Sequence, residues 1–315
     1  MMMLLLCLLS LLTPPSSAAA PIDKARLAEH IHKAFSTPAA MKLTVGELSP
    51  SPVPGWLGGT VDASDGERRS AQPILVSEDG RWYFLGAMAV LGASPVPGMK
   101  AFPEDPNLPP VHLFPDGKHA VVGTPKDLSV DPDAANRAKI SLKDAPATGP
   151  ADAALTLVEY SDLQCPHCKK SHEILEAELA KLPIKLRRVF KHYPLDMHAW
   201  SYDAAIAAAC ASRVKPAAGN AVLHRFFAEQ EKITPADVRA KSLEFAKAAG
   251  LPEAAFAACV DKKETKAVVE ADKREGDSLG VTGTPTLFIN GRKVRGYAWS
   301  EVKAVIDELS KAAKK

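Results

Sequence analysis

Val158-Glu159-Tyr160-Ser161-Asp162-Leu163-Gln164-Cys165-Pro166-His167-Cys168 is the stretch on which the reading of this chain turns. It grows out of Leu155 to Tyr160, an apolar and aromatic run with the look of a buried strand. Residues 166–182 then put Leu175, Leu179 and Leu182 on one face of a helix, and Ile184 to Phe190 reads as the next strand. Strand, helix, strand predicts a right-handed parallel unit. Cys165 and Cys168 stand at its first corner, where their spacing puts both sulfurs on one face and within bonding reach.

That corner is a place for a thiolate. Cys165 falls at the N-cap, where free N–H groups and the positive end of the helix dipole favour an anion. Pro166 suits the first helical position, having no N–H to waste, and a protonated His167 would add to the stabilisation. The thiolate is the attacking species in disulfide exchange, so a lowered pKa at Cys165 raises its reactive fraction. Cys168 is expected to be the more buried, resolving thiol. Two other readings of the pair stand beside this one: an inert structural disulfide, and a metal-binding module using Cys165, Cys168 and His172 with a fourth ligand from His192 or His198.

Downstream, residues 198–275 are Ala-rich and helical, broken at Pro216, Gly219, Pro235 and Gly250-Leu251-Pro252. Thr286 to Asn290 is a third strand, Asn290-Gly291 a two-residue turn into Arg292 to Tyr297, and a last helix carries Trp299, Val302, Ile306 and Leu309 on one face. The fold class is therefore α/β, a sheet with a helical insertion at about 196–278. Cys210 and Cys259 both lie in that block. They are expected to form a structural disulfide; the alternative is two buried free thiols acting as small hydrophobes.

Upstream, the chain changes character. Leu27, Ile31 and Phe35 mark an amphipathic helix over 22–36. Residues 21–126 are then expected to form a small β-rich (α+β) domain, with Asp79-Gly80 and Asp116-Gly117 each joining two β-like runs in a hairpin, and a Pro-rich loop from Ser94 to Pro110. The two hairpins may be read as a duplication or as two similar turns. Residues 127–150, with Asp131-Pro132-Asp133 and Ala145-Pro146-Ala147-Thr148-Gly149-Pro150, read as a connecting helix and linker to a catalytic domain over 151–315.

At 315 residues, 46% hydrophobic and 24% charged, the chain is long enough for two ordinary domains. A net charge of +2 gives no reason to expect nucleic acid or an anionic membrane surface as partner. Leu4 to Leu12 is an apolar run followed by Thr13-Pro14-Pro15 and the small residues Ser16 to Ala20, the layout of a secretory signal cleaved near residues 18–20, although no Lys or Arg precedes it. Its removal takes Cys7 and leaves Cys165, Cys168, Cys210 and Cys259, an even set suited to an oxidising compartment such as the periplasm.

The quoted stretch, together with Gly280-Val281-Thr282-Gly283-Thr284-Pro285-Thr286-Leu287-Phe288-Ile289-Asn290-Gly291, resembles the bacterial periplasmic thiol:disulfide oxidoreductases of the DsbA, DsbC and DsbG group, in the thioredoxin superfamily. The resemblance covers about residues 140–315. It implies that Pro285 is a cis-proline facing the cysteines, that the backbone of Thr284 pairs with an extended substrate peptide, and that Glu159 lies beneath the active site as a proton relay. An exposed strand-edge Glu is the plainer reading of residue 159. It further implies protein substrates with cysteines, a redox partner protein that recycles the pair, and no organic cofactor or metal. Thr284 looks like the DsbC and DsbG choice, and the N-terminal plan is similar to their dimerising domain, which makes an isomerase or reductase the leading subtype and a homodimer an expectation. His167 is shared with the DsbA-like oxidases, the nearest alternative.

Overall fold

The computed structural model describes residues 21–86, 88–90, 111–113, 119–122, 126–143 and 145–312. The signal segment, the Pro-rich loop from Ser94 to Pro110 and the Asp116-Gly117 turn lie outside the described residues. The chain divides into two compact units, one of Met1–Lys24, Val45–Val61 and Gln72–Leu128, the other of Ala25–Thr44, Asp62–Ala71 and Ser129–Lys315.

The N-terminal strands are β1 (Lys42–Val45), β2 (Ser49–Pro50), β3 (Trp56–Ser64), β4 (Arg69–Ser77), β5 (Trp82–Leu85), β6 (Met88–Val90), β7 (Val111–Leu113), β8 (His119–Val122) and β9 (Lys126–Asp127). In the first unit β4 and β5 form the expected hairpin, pairing Ile74 with Leu85 and Val76 with Tyr83. Its turn is held by local bonds: Asp79 Oδ1 accepts from the Arg81 N–H at 3.0 Å, and Ser77 Oγ accepts from the Trp82 N–H at 2.9 Å. Strands β7 and β8 also pair antiparallel. Val53, Leu75, Phe84 and Val121 form a small core, with Trp56 packed on it.

The second unit carries the α/β alternation read from the sequence. Its helices are α1 (Lys24–Ala34), α2 (Pro132–Lys139), α3 (Pro166–Leu179), α4 (Ser201–Val214), α5 (Pro216–Ala228), α6 (Val238–Ala248), α7 (Glu253–Asp261), α8 (Lys266–Ser278) and α9 (Trp299–Ala312). Its strands β10 (Ala147–Thr148), β11 (Leu155–Ser161), β12 (Leu186–His192), β13 (Thr286–Ile289) and β14 (Arg292–Lys293) form one sheet, in the order β10-β12-β11-β13-β14. β11 and β12 are parallel, with α3 between them in sequence, and β13 runs antiparallel to β11. Leu155, Leu157, Leu287 and Ile289 pack toward Leu175 of α3 and Val302 and Ile306 of α9, whereas Val158, Tyr160 and Phe288 pack toward Val189, Tyr193 and Leu279. The period-2 alternation of a strand thus sets Glu159 and Ser161 on the α3 side, in step with Leu157.

Several sequence expectations shift. Strand β14 ends at Lys293, well before Tyr297. Helix α1 stops at Ala34, so Phe35 falls past its end and is exposed, while Leu27 and Ile31 are buried. The segment read as a linker is built into the second unit. Ala147 and Thr148 pair with β12, and Asp133 of α2 takes both its carboxylate oxygens to the buried Arg292, at 2.9 and 2.7 Å. The turn at Asn290-Gly291 makes this docking close. Gly291 has φ +87°, and a Cβ there would sit 2.0 Å from the Asp133 carbonyl oxygen. Composition could not show this, because a Pro- and Ala-rich connector and a docked edge strand look alike until their partners are known.

In the helical insertion, α4 and α5 meet through small residues, beside a core of Phe226, Phe227, Phe245 and Phe256. Ala204 to Ala211 of α4 are buried throughout, and a Cβ on Gly219 of α5 would meet Ser212 Oγ at 2.1 Å, so the two helices touch nearly backbone to backbone. Small side chains bring modest apolar area, and Cys210 of α4 is bonded to Cys259 of α7 across 49 residues.

Two stability outcomes are expected. The Cys210→Ala/Cys259→Ala double variant should lose up to ~4 kcal/mol in denaturant unfolding, by the chain-entropy argument. Gly291→Ala should lose about 2 kcal/mol or more, since both the backbone angle and the space oppose a side chain. A denaturation midpoint equal to wild type would refute either assignment.

Candidate active site

Cys165 caps α3 in extended conformation (φ −71°, ψ 122°), with Pro166 at the first helical position. Its carbonyl accepts from the Cys168 and Lys169 N–H groups at 3.0 and 3.1 Å, closing the first turn. Both cysteines are free thiols, Cys165 4% exposed and Cys168 fully buried. The Thr284–Pro285 peptide bond is cis, and the Thr284 carbonyl accepts from Cys165 Sγ at 3.5 Å. The two motifs, 119 residues apart in sequence, meet at one sulfur.

The sulfurs differ sharply. The Cys165 thiol is lowered from the ordinary 9.0 to about 5, chiefly because the Cys168 thiol donates to it. Burial works against that shift, while the N–H groups of Cys168 and His167 and the Thr284 hydroxyl reinforce it. Cys168 is pushed the other way, first by burial and then by the neighbouring Cys165. The Thr284 hydroxyl is buried without a hydrogen-bond partner among the described residues, yet it lowers both thiols.

The loop before Cys165 is pinned from both sides. Asp162, 1% exposed, accepts from the Gln164 N–H on Oδ1, and from the Leu195 N–H and His198 Nδ1 on Oδ2, all within 2.8 Å. Gln164 Oε1 accepts from the Trp200 and Ser201 N–H groups at the start of α4. From the short 3₁₀ turn Gln230–Lys232, Gln230 Nε2 donates to the carbonyls of Leu163 and Cys165. Asp162, Gln164 and Gln230 had no role in the sequence reading, and His198 entered it only as a metal ligand. For Asp162 and Gln164 the available signal was a polar residue within three positions of Cys165.

Glu159 is buried on the central strand, not at an exposed edge. Its Oε2 meets Arg188 Nη2 at 2.8 Å and its Oε1 accepts from Ser161 Oγ at 3.2 Å. Arg188 also reaches Glu176 at 2.7 Å and His172 Nδ1 at 3.0 Å. Two arginines, Arg187 and Arg188, interrupt the strand between Leu186 and Val189, and of these Arg188 makes the ion pair. The His172 ring, whose pKa burial lowers to about 3, turns to Arg188 and His224 rather than to the cysteines. Among the described residues no group of three or more His, Cys, Asp or Glu side chains is placed to hold a metal ion. The exposed His167 ring is likewise turned away, Nδ1 lying 2.9 Å from the Tyr297 hydroxyl. It is the His167 backbone that helps the Cys165 anion.

Residues 141–308, more than half of the chain, match the family model described as Thioredoxin. A sodium/proton antiporter NhaA 1 of Mycolicibacterium gilvum is 32% identical over 153 residues, covering 47% of this chain and 24% of the antiporter. The chain thus spans about a quarter of the length of the curated relatives it matches. Among solved structures, BdbD from Bacillus subtilis is 22% identical with a TM-score of 0.47, covering 56% of this chain and 96% of that one. The thiol-disulfide exchange protein alpha-DsbA2 from Wolbachia pipientis is 21% identical with a TM-score of 0.46, covering 57% and 97%.

The sulfur asymmetry fixes a pH dependence. Because the Cys165 pKa is depressed on folding, its ionisation stabilises the reduced fold fully above about pH 9, and that stabilisation is lost as pH falls toward 5. Thiolate absorbance of the reduced protein should therefore rise in one step near pH 5. In Cys168→Ala, which removes the largest donor, the step should move up by about one unit or more. An unmoved step would mean that Cys168 does not hold the anion.

Proposed function

We infer, for a chain that belongs to the thioredoxin family, that it is an exported oxidoreductase exchanging disulfides with protein substrates. The observation that carries this is the opposed shift of two adjacent thiols beside the Thr284-Pro285 loop. The Cys165 thiolate attacks one sulfur of a client disulfide; that bond breaks, the second client sulfur leaves as a thiolate, and a mixed disulfide remains. Cys168 then gives up its proton and attacks the Cys165 sulfur. The client is released reduced and Cys165–Cys168 is oxidised. The reverse sequence oxidises a client dithiol, and a second client thiol attacking in place of Cys168 isomerises it.

Glu159 is proposed to take the Cys168 proton. Ser161 stands next to both: its hydroxyl donates to Glu159 Oε1 and also interacts with the Cys168 sulfur. Thr284 presents its backbone to an extended client segment, as in strand addition. No organic cofactor or metal enters these steps. A DsbC/DsbG-like isomerase or reductase, dimeric through its N-terminal residues and kept reduced by a partner protein in the periplasm, is the leading subtype. The low pKa of Cys165 favours the second reading, a DsbA-like oxidase, because it stabilises the reduced form and makes the disulfide a stronger oxidant.

Refolding of a scrambled disulfide protein, with chain mass measured in solution, separates these. Turnover with a dimer supports the isomerase; oxidation of reduced clients by a monomer supports the oxidase. In either case Cys165→Ser should abolish exchange while leaving the fold intact, and retained turnover would remove the nucleophile. Cys168→Ser should accumulate mixed disulfides. Glu159→Gln should slow their resolution by about 10²-fold at neutral pH, the lower range of general acid–base effects. Resolution at the wild-type rate would exclude the relay.

A further inference from the structure

A cleft of about 820 Å³ opens on the second unit between α4, α5, α8 and the edge strand β10. Neither cysteine of the reactive pair lines it, nor does Thr284 or Pro285. Its size falls in the range of small-ligand sites, which are recognised by a few convergent polar groups in apolar walls. The walls here are Ala145, Pro146, Ala147, Ala209, Ala217 and Val268.

The polar group that stands out is His192, at the end of β12. It is 1% exposed and lines the cleft, and neither ring nitrogen has a hydrogen-bond partner among the described residues. A buried polar group without a partner is costly and calls for an explanation. Phe190 packs edge-on to the ring at 5.2 Å and fixes its attitude. Burial holds the imidazole neutral, its pKa lowered to about 4. A neutral imidazole offers one donor and one acceptor on the same ring.

The charged groups around it are mostly spoken for. Asp272 Oδ1 pairs with Lys191 at 2.9 Å and its Oδ2 accepts from the His192 N–H at 3.0 Å. Arg213 pairs with Glu264 at 3.2 Å, and Lys143 stands on the exposed margin. The deep end of the cleft is therefore polar without offering a free charge. Asn220 adds a second amide there, its Nδ2 donating to the Ala147 carbonyl at 2.8 Å.

We propose that this cleft binds a short extended peptide of small apolar residues, one backbone amide of which pairs with His192. An amide both donates and accepts, which matches a neutral imidazole. A carboxylate can only accept and an ammonium can only donate. Methyl-sized side chains suit walls made of alanine, proline and valine. The site is separate from the sulfurs, so it holds a peptide without exchanging any bond.

The test uses full-length reduced Cys165→Ser protein, in which no mixed disulfide forms at residue 165, titrated with acetyl-Ala-Ala-Ala-amide and, separately, with sodium acetate. The readout is the His192 imidazole NMR signals. The peptide should saturate with a Kd of about 1 mM or tighter, and acetate should leave His192 unmoved. Ala217→Trp, which fills the mouth from an exposed position, and His192→Phe, followed instead through the side-chain amide signals of Asn220, should each weaken binding at least ten-fold; Ala217→Trp keeps the test valid if His192→Phe unfolds. Absence of saturation, an equal response to acetate, or undiminished binding in Ala217→Trp would overturn the proposal. Loss of exchange activity in other variants would not bear on it.

Discussion

The second unit is organised around a negative sulfur at the tip of a helix and a neutral one a single turn deeper. Cys165 has N–H donors, the Cys168 thiol and the Thr284 hydroxyl about it; Cys168 lies where burial penalises charge. The same loop could not serve both sulfurs equally, because the second is stable only as a donor to the first. The cap therefore has to be rigid. Asp162, Gln164 and Gln230 supply that rigidity by taking up the loop's backbone and tying it to α4 and to the turn after α5. In this way the helical insertion is part of the frame of the candidate site.

Buried cations repeat the logic of pairing. Arg188 lies between Glu159 and Glu176, Lys191 between Asp272 and Glu275, and Arg292 between Asp133 and Glu308. Such pairs are weak evidence for net stability, since desolvation offsets most of the Coulomb gain. Breaking one is costly, because an uncompensated charge stays buried. Each cation sits on a strand of the sheet and takes carboxylates from neighbouring elements: β11 and α3, α8, or α2 and α9. They act as registration pins for the sheet, while the insertion packs on its own cluster of Trp200, Phe226, Phe227, Phe245 and Phe256.

How much of this could be read in the sequence follows from range. The strand, the helix and the cysteine corner were legible because alternation, the 3.6-residue period and a capping position are local. The cis bond at Pro285 and the depth of Glu159 came only through resemblance to a family; nothing near either residue encodes them. The docking of Ala147-Thr148 on β12 and the Asp133–Arg292 pair were missed because each depends on a partner more than 30 residues away. His167 was misjudged for a related reason. Proximity in sequence suggested its ring would serve Cys165, but the ring's nearest hydroxyl belongs to Tyr297.

The position of Glu159 constrains the chemistry proposed for it. One oxygen of the carboxylate is taken by Arg188, so that side has no room for a proton donor. The other oxygen is turned to Ser161, whose hydroxyl has a single hydrogen to give. While that hydrogen goes to Glu159, the Ser161 oxygen is free to accept the Cys168 proton. Once both protons have moved, the same hydroxyl donates to the new Cys168 thiolate, which is the direction in which Ser161 lowers that thiol. In the proposed relay the arginine holds the carboxylate in place, and the serine links it to a sulfur it does not touch. Removing Arg188 would then hurt twice, leaving Glu159 buried without its partner and moving the carboxylate out of line with the serine.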